Sequence, residues 1–403
     1  MIRQERHVDV LVVGAGPAGL AAAAGLAAAG VRRVEVLERD QALGGIPRHC
    51  AHGGFGTRAS GDLSGPVYAL RCAAEARAAG AALRTGITVT GWAGPRTLDA
   101  TGPGGLERVT ARAVVLATGA RERPRAARLV PGTRPAGVYT TGELQQAVHL
   151  HHQPVGTRAV VVGDEPVSLA AAGTLRTAGV HLVARVTEHP PRPLSAVRAA
   201  GGAPLLTRTT VTALTGRPRL TGVQVRHADG RTATLACDTV VFTADWIPDH
   251  ELARRGGLPL DPGTRGPAYD PAHRTGRPGV FAVGNLLHGG ESAATAAREG
   301  RAVTGPVLAH LAAGTWPASG PPLAVDAPLE WIAPNLTGPG GRRLLLRTGR
   351  RLTVPLLVVR QDGTLLHRER VARCVAPGRS FPLTADWLAR VDPEGGTVRL
   401  RIG

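Results

Sequence analysis

Near its start the chain has a short run, Val8-Asp9-Val10-Leu11-Val12-Val13, apolar but for Asp9 and rich in β-branched residues. A run of this kind, with little polar alternation, marks a strand buried on both faces and therefore a parallel sheet. The period then changes. Gly14-Ala15-Gly16-Pro17-Ala18-Gly19 is a glycine-punctuated turn, and an alanine-rich helix follows as far as Gly30, a residue suited to stop it. Val34-Glu35-Val36-Leu37 is the next short strand and ends at Glu38. The pattern recurs at Arg158-Ala159-Val160-Val161-Val162-Gly163, with a helix over about 168–178 and a strand over 180–184. Residues 209–214, 222–227 and 232–236 alternate as a three-stranded meander, with Asp229-Gly230 as its hairpin turn. Residues 239–244 then lead back to the first unit, and a helix is expected from near Ser292 toward Leu311. Beyond the Pro/Gly-rich stretch 314–322, residues 343–346, 352–360, 364–371 and 397–402 alternate in strand fashion. These predict a small, β-rich, sandwich-like C-terminal domain.

The first strand–turn–helix–strand unit carries the whole dinucleotide fingerprint in the context it requires. Gly14 permits the tight turn, Gly16 lets the backbone approach a pyrophosphate, and Gly19 allows the helix to pack closely on the strand. The helix N-terminus offers unpaired N–H groups and a partial positive charge to phosphates. Glu38 stands where a carboxylate accepts hydrogen bonds from ribose hydroxyls. The second unit departs from this pattern. Its loop reads Gly163-Asp164-Glu165-Pro166-Val167-Ser168, so that Glu165 replaces the second glycine and Asp164 adds another negative charge. Two anions beside a diphosphate repel it, at a cost reaching several kcal/mol in a partly dry cleft. Arg185 alone, after the second strand, suggests a 2′-phosphate, but the loop argues more strongly against any dinucleotide. The expectation is a retained fold with NAD(P)H binding lost or weakened.

Three further segments carry a family resemblance. Leu43-Gly44-Gly45 follows Glu38, Leu116-Ala117-Thr118-Gly119 ends a later strand, and Gly279-Val280-Phe281-Ala282-Val283-Gly284-Asn285 lies near residue 280. Over roughly residues 8–311 the chain resembles the two-dinucleotide-binding-domain flavoprotein oxidoreductases, the pyridine nucleotide–disulfide reductase-like superfamily. The resemblance implies an α/β fold with a Rossmann-like FAD domain (1–150 and 244–313) and an inserted second Rossmann-like, NAD(P)-type domain (151–243). A linker (314–322) and the C-terminal β-rich domain (323–403) complete the chain. It implies FAD as cofactor, with Gly14, Ala15, Gly16, Pro17, Ala18, Gly19, Glu38, Arg39, Gly44, Gly45, Val89, Ala117, Thr118, Gly119, Gly284, Asn285 and Ser292 as binding residues. Asn285 stands where the superfamily has Asp, keeping an acceptor of short reach without the charge. A helix beginning at Ser292 would turn its positive end toward the flavin pyrimidine ring and stabilise the anionic reduced form. The segment from Leu43 to Gly56 (LGGIPRHCAHGGFG) is similar to a narrower subgroup, associated with glycerol 3-phosphate dehydrogenase-type proteins.

In the disulfide reductases a cysteine pair follows the Gly-Gly doublet. Here Cys50 stands alone in the comparable segment, which argues against dithiol chemistry within the chain. It is read in two ways: a small residue lining the cofactor pocket, or a single thiolate whose pKa is lowered by Arg48, His49 and His52. His52 is a candidate proton donor to substrate or flavin.

Composition excludes more than it identifies. The formal charge is +18 and all 48 basic residues are arginine. They are scattered, and aromatics make up only 3% of the chain, so nucleic acid is not the expected partner. Four widely spaced cysteines without a C-x-x-C pair argue against zinc, an iron–sulfur cluster or a disulfide framework, and suggest the reducing cytoplasm. No membrane span or targeting segment is expected. The partners expected are a small-molecule substrate or a redox protein, including subunits of a dehydrogenase complex. Three functions stay open: an FAD-dependent dehydrogenase or reductase passing electrons to a second acceptor, an NAD(P)H-dependent flavoprotein reductase, and a non-catalytic flavoprotein scaffold or regulatory subunit.

Overall fold

A computed structural model describes residues 3–56, 61–191, 202–338, 340 and 343–403. Strand β1 (Gln4–Val13) is the spine of the first sheet, because Val10, Leu11 and Val12 are all excluded from solvent. It is followed by helix α1 (Pro17–Ala28) and the parallel strand β2 (Val34–Leu37), with Val10 opposite Val34. Helix α2 (Gly65–Ala78) crosses back to β3 (Ala82–Arg84), and β4 (Thr88–Gly94), β5 (Thr97–Gly102) and β6 (Gly105–Leu116) form an antiparallel meander. The strand order is β3-β2-β1-β6-β5-β4. Alanines Ala22, Ala23, Ala73 and Ala76 let α1 and α2 sit close to the sheet and to each other.

The chain leaves this unit through β7 (Ala120–Glu122) and builds a second sheet. It comprises β8 (Val138–Thr140), the short helix α3 (Thr141–Gln145), β9 (Arg158–Val162), α4 (Pro166–Thr177), β10 (His181–Val186) and β11 (Leu205–Leu206). The meander β12 (Thr209–Thr215), β13 (Gly222–His227) and β14 (Thr232–Ala236) follows as expected, and β15 (Thr239–Phe242) completes the order β11-β10-β9-β15-β8. Strand β16 (Trp246–Pro248) then pairs antiparallel with β7, so both crossings between the units run through one two-stranded ribbon. Val138 pairs with Val240, so the second sheet draws on residues before 150 that the sequence pattern places in the first unit.

Back in the first unit, α5 (Glu251–Arg255) precedes β17 (Val280–Ala282), which joins β6 as the seventh strand. The helix expected from Ser292 toward Leu311 is two helices, α6 (Ala293–Ala302) and α7 (Thr304–Ala313), meeting at Val303. Pro306 accounts for the break: it has no N–H to give, and its ring collides with the carbonyl four residues earlier.

The C-terminal residues form two facing sheets. Strands β18 (Leu323–Val325), β19 (Leu329–Ala333), β20 (Arg343–Thr348), β21 (Leu356–Gln361), β22 (Thr364–Arg370), β23 (Phe381–Thr384) and β24 (Val398–Ile402) assemble as β18-β24-β21-β22 and β19-β20-β23. Leu344, Leu346, Leu357, Val359, Phe381 and Trp387 fill the space between them. Burying each such side chain stabilises the fold by about 1.5–3 kcal/mol, which lets a domain this small hold its shape. It is fastened to the first unit: Arg347 lies over Trp331 at 4.8 Å and donates to the Gly289 carbonyl (3.0 Å) and Glu291 (3.1 Å), and Asn335 Oδ1 accepts from Tyr269 N (2.9 Å). Among the described residues, no helix is long and apolar enough to cross a membrane.

Candidate functional site

The turn between β1 and α1 is built by steric necessity. Gly14 has φ of +103°, and a Cβ there would lie 2.5 Å from the Ala117 carbonyl oxygen. A Cβ on Gly19 would overlap the Gly14 carbonyl, so α1 can approach β1 only with glycine at this point. Gly16 differs: a Cβ there would meet nothing within 4 Å. Gly16 is the N-cap of α1, and no side chain caps the helix there, so first-turn N–H groups face open space. That is a cradle for a phosphate. Ala15, Pro17 and Ala18 complete the turn. The buried Glu38 carboxylate accepts from Ala15 N (2.8 Å) and Asp40 N (3.0 Å), one bond to each oxygen. It thereby holds the turn and keeps a lone pair on each oxygen for sugar hydroxyls. These features fit the diphosphate and ribose of an FAD.

Of the other predicted residues, Gly44, Gly45, Ala117, Thr118 and Gly284 lie against this turn or its helix. Gly44 N donates to the Ala15 carbonyl (2.8 Å), and a Cβ on Gly45 would come within 2.9 Å of Gly16 Cα. Ala117 N bonds to Val13 O (2.9 Å), Thr118 Oγ1 to Asp249 O (2.8 Å), and Gly119 O accepts from Asp249 N (2.9 Å). Arg39 is exposed and pairs with Asp249 at 3.4 Å, while Val89, within β4, packs half-buried against the core. Gly284 abuts the Ala18 methyl, its hypothetical Cβ lying 2.6 Å away. Asn285 is committed at both ends of its amide: Nδ2 donates to Glu291 O (3.1 Å) and Oδ1 accepts from Glu291 N (2.9 Å). It thus pins the loop 285–291. Ser292 caps α6, its hydroxyl accepting from Thr295 N (3.1 Å).

A buried charge pair not anticipated from the sequence supports this end of the site. Glu299 Oε2 accepts from Gly284 N (3.0 Å) and Oε1 meets His288 Nε2 at 2.9 Å. Burial opposes both charges, yet their pairing holds Glu299 below the usual carboxylate range and His288 above its ordinary value. Trp331 stacks on His288 with ring centres 5.6 Å apart.

Cys50 and His52 part company. Cys50 is buried at the end of a 3-10 turn (Ile46–His49), its thiol 3.4 Å from Gln145 Oε1 and 3.4 Å from Ile46 O. Burial first, and the Glu122 carboxylate second, push the thiol up to about 12. This corrects the expectation that Arg48, His49 and His52 lower it: neighbours in sequence are outweighed by desolvation. Cys50 is a thiol at neutral pH. His52 is exposed, with Nδ1 2.7 Å from Gly53 O, and lies against Phe55.

The second turn has the same frame with a different occupant. Gly163 N donates to Val186 O (2.9 Å), matching Gly14 N to Leu37 O (2.9 Å), so Thr187 takes the place that Glu38 has in the first unit. Arg185 is buried within β10, so it cannot serve a 2′-phosphate; the strand ends two residues later than its pattern suggests. Glu165 folds back over the turn. Its Oε2 accepts from Asp164 N (2.9 Å), its Oε1 from Thr243 Oγ1, and an added Gly163 Cβ would meet both oxygens. The protein's own carboxylate therefore lies over this turn, holding Asp164 N much as Glu38 holds Ala15 N in the first unit. Gly378 of the C-terminal domain closes over it, with a hypothetical Cβ 3.6 Å from Glu165 Cβ. Beside this turn lies a cavity of ≈1250 Å³ lined by residues of all three units, among them Thr187, Trp246, Glu291 and Trp331. Among the described residues no cluster of three or more His, Cys, Asp or Glu could hold a metal.

A family model described as pyridine nucleotide-disulphide oxidoreductase matches residues 8–300. The chain is 29% identical over 273 residues to the alpha subunit of a sarcosine oxidase from Rhizobium meliloti, covering 63% of this chain and 26% of that protein. It is 37% identical over 187 residues to an opine oxidase subunit from Agrobacterium tumefaciens, covering 43% of this chain and 35% of that protein. The matches thus span a quarter to about a third of these relatives. Among solved structures, a thioredoxin reductase of T. acidophilum superposes with a TM-score of 0.62 at 22% identity, over 75% of this chain and 98% of that one, a likeness of fold.

Proposed function

Because the chain belongs to the pyridine nucleotide-disulphide oxidoreductase family and is an FAD-dependent oxidoreductase, we propose that it passes electrons between a small-molecule substrate and a partner protein, as one subunit of a larger assembly, and does not draw on NAD(P)H. FAD, when bound, supplies two-electron chemistry at its ring. In this reading Gly14 to Gly19 and Glu38 hold its diphosphate and ribose, Gly44 and Gly45 close over the turn, and α6 directs its positive end at the ring. The observation that carries the choice of electron partner is the Glu165 carboxylate, which is hydrogen-bonded to Asp164 N and Thr243 and adds a negative charge over the second turn. A dinucleotide would have to expel that carboxylate and move the loop around Gly378. Names of the two curated relatives, each belonging to one component of an oxidase, support the subunit role. The Leu43–Gly56 resemblance makes a glycerol 3-phosphate dehydrogenase-type protein one partner to assay.

The test is anaerobic mixing of FAD-loaded protein with NADH and with NADPH. We expect dithionite to bleach the flavin and neither nucleotide to do so within minutes. Rapid bleaching by either would establish the second reading, an NAD(P)H-dependent reductase, which the size of the cavity beside the turn favours.

A further inference from the structure

Away from the phosphate cradle, three buried polar groups converge where the Gly44–Gly45 segment meets the interdomain ribbon. Glu122, the last residue of β7, accepts from Gly142 N through Oε2 (2.8 Å) and from Ala244 N through Oε1 (3.1 Å). His49 is buried, and its Nε2 makes no hydrogen bond among the described residues. Cys50 lies beside them. Gly142 leaves room between the first two: a Cβ built on it would meet nothing nearer than Glu122 Oε2 at 3.9 Å and His49 Nε2 at 4.0 Å. A lone polar atom closed off from solvent costs about 1–3 kcal/mol, so a site of this kind calls for a partner. A buried water needs two to four polar neighbours.

We propose that the space over Gly142 binds one water, bridging Glu122 Oε2 and His49 Nε2, and that Glu122 exchanges its proton through it. The proton leaves Oε2 for the water oxygen while the water gives one of its own to Nε2, and the reverse transfer restores both; no electron moves. The electrostatics suit the two roles. Burial, reinforced by Glu165, pushes Glu122 up to about 7 against the pull of its hydrogen bonds. Burial and Arg48 push His49 down to about 4, with His149 acting in the same direction and Asp40 opposing. His49 can pass a proton but not keep it. Among the described residues the Thr141 hydroxyl also faces Glu122, and the remaining titratable groups facing it are Arg128 and the neutral thiol of Cys50. Both arms of the pair begin at cofactor-lining turns, Gly44–Gly45 and Thr118–Gly119. Resting on the proposed FAD site, we assign Glu122 as a positioning acid that sets the pH dependence of the bound cofactor.

Gly142→Ala tests the site. Its backbone is compatible with alanine, since Gly142 is absent from the positive-φ glycines, and alanine favours a helix. Thermal stability should hold or rise, while the Glu122 carboxyl band in infrared spectra, assigned by subtraction of Glu122→Gln, titrates about one pH unit higher. An unmoved midpoint in Gly142→Ala overturns the proposal. In the FAD-loaded protein, the midpoint potential against pH should break near 7, lose the break in Glu122→Gln and shift it upward in Gly142→Ala. A wild-type potential without the break, or a break surviving in Glu122→Gln, overturns the coupling. If the chain takes up no FAD, the proposed function fails, and the infrared arm on the cofactor-free chain still decides whether the water site exists.

Discussion

The cleanest perturbation of the cofactor cradle is a single methyl group at Gly16. The residue sits at φ −78° and ψ −177°, backbone open to alanine, and a Cβ there meets no atom within 4 Å. Folding should therefore hardly notice it: alanine is a poorer N-cap than glycine by no more than about 1 kcal/mol. The melting temperature should fall by about 2–4 °C or less. The ligand should notice it strongly, because the methyl fills the space through which a phosphate reaches the first-turn N–H groups. Hydrogen bonds to a charged group contribute about 1.5–3 kcal/mol each. Losing one weakens FAD binding by about 10- to 150-fold, and losing two by more. Flavin fluorescence quenching on titrating the cofactor-free chain reads the affinity, and thermal denaturation reads the fold. Gly19→Ala is the contrast: its methyl overlaps the Gly14 carbonyl, so stability and binding should fall together. If Gly16→Ala binds FAD within about threefold of wild type, the phosphate does not lie at this turn and the assignment is wrong.

Three other outcomes are expected. Iodoacetamide at about pH 8 should label the exposed Cys374 and spare Cys50, whose thiol near 12 leaves almost no thiolate; equal labelling by peptide mass spectrometry would refute the buried environment. Asp238, despite some cost of burial, is drawn down to about 2 by hydrogen bonds from Thr157 and Arg158. Its folded pKa lies below its unfolded one, so its stabilisation is present above about pH 4 and is lost as pH falls toward 2. The stability gap between wild type and Asp238→Asn in denaturant titrations should accordingly shrink between pH 7 and about pH 3, and a constant gap would contradict the assignment. Arg347→Ala strands the Glu291 carboxylate among buried groups, a loss of about 3–5 kcal/mol; a melting curve matching wild type would show that this clamp does not hold the C-terminal domain.

Both nucleotide-type units are readable in the sequence because their signals are local. Val8 to Glu38 and Arg158 to Ser168 contain strand, turn and helix start within a few dozen residues, and glycine spacing reports steric demands that no other residue meets. The meander at 209–236 is equally plain from its alternation and its Asp-Gly turn. What stays hidden depends on distance in sequence. Glu122 meets Gly142 and Ala244 across a ribbon whose two strands lie more than a hundred residues apart. Cys50 looks activated because Arg48 and His49 stand next to it, whereas Gln145 and the desolvating wall around it come from elsewhere. Arg185 misleads for a smaller reason: a strand end displaced by two residues buries it within the sheet. The short strands at 323–325, 329–333 and 381–384 have too few positions to show a period.

One carboxylate, Glu299, holds the Gly284 turn with one oxygen and, through the other, the imidazole that Trp331 roofs. The β-sandwich is therefore no detachable appendage. Stripped of it, His288 and Glu299 would be flooded with solvent, their attraction diluted, and the loop they steady would lose its anchor. The C-terminal domain would then govern how firmly the chain grips its chromophore, and trimming it to simplify the protein would be expected to yield paler preparations.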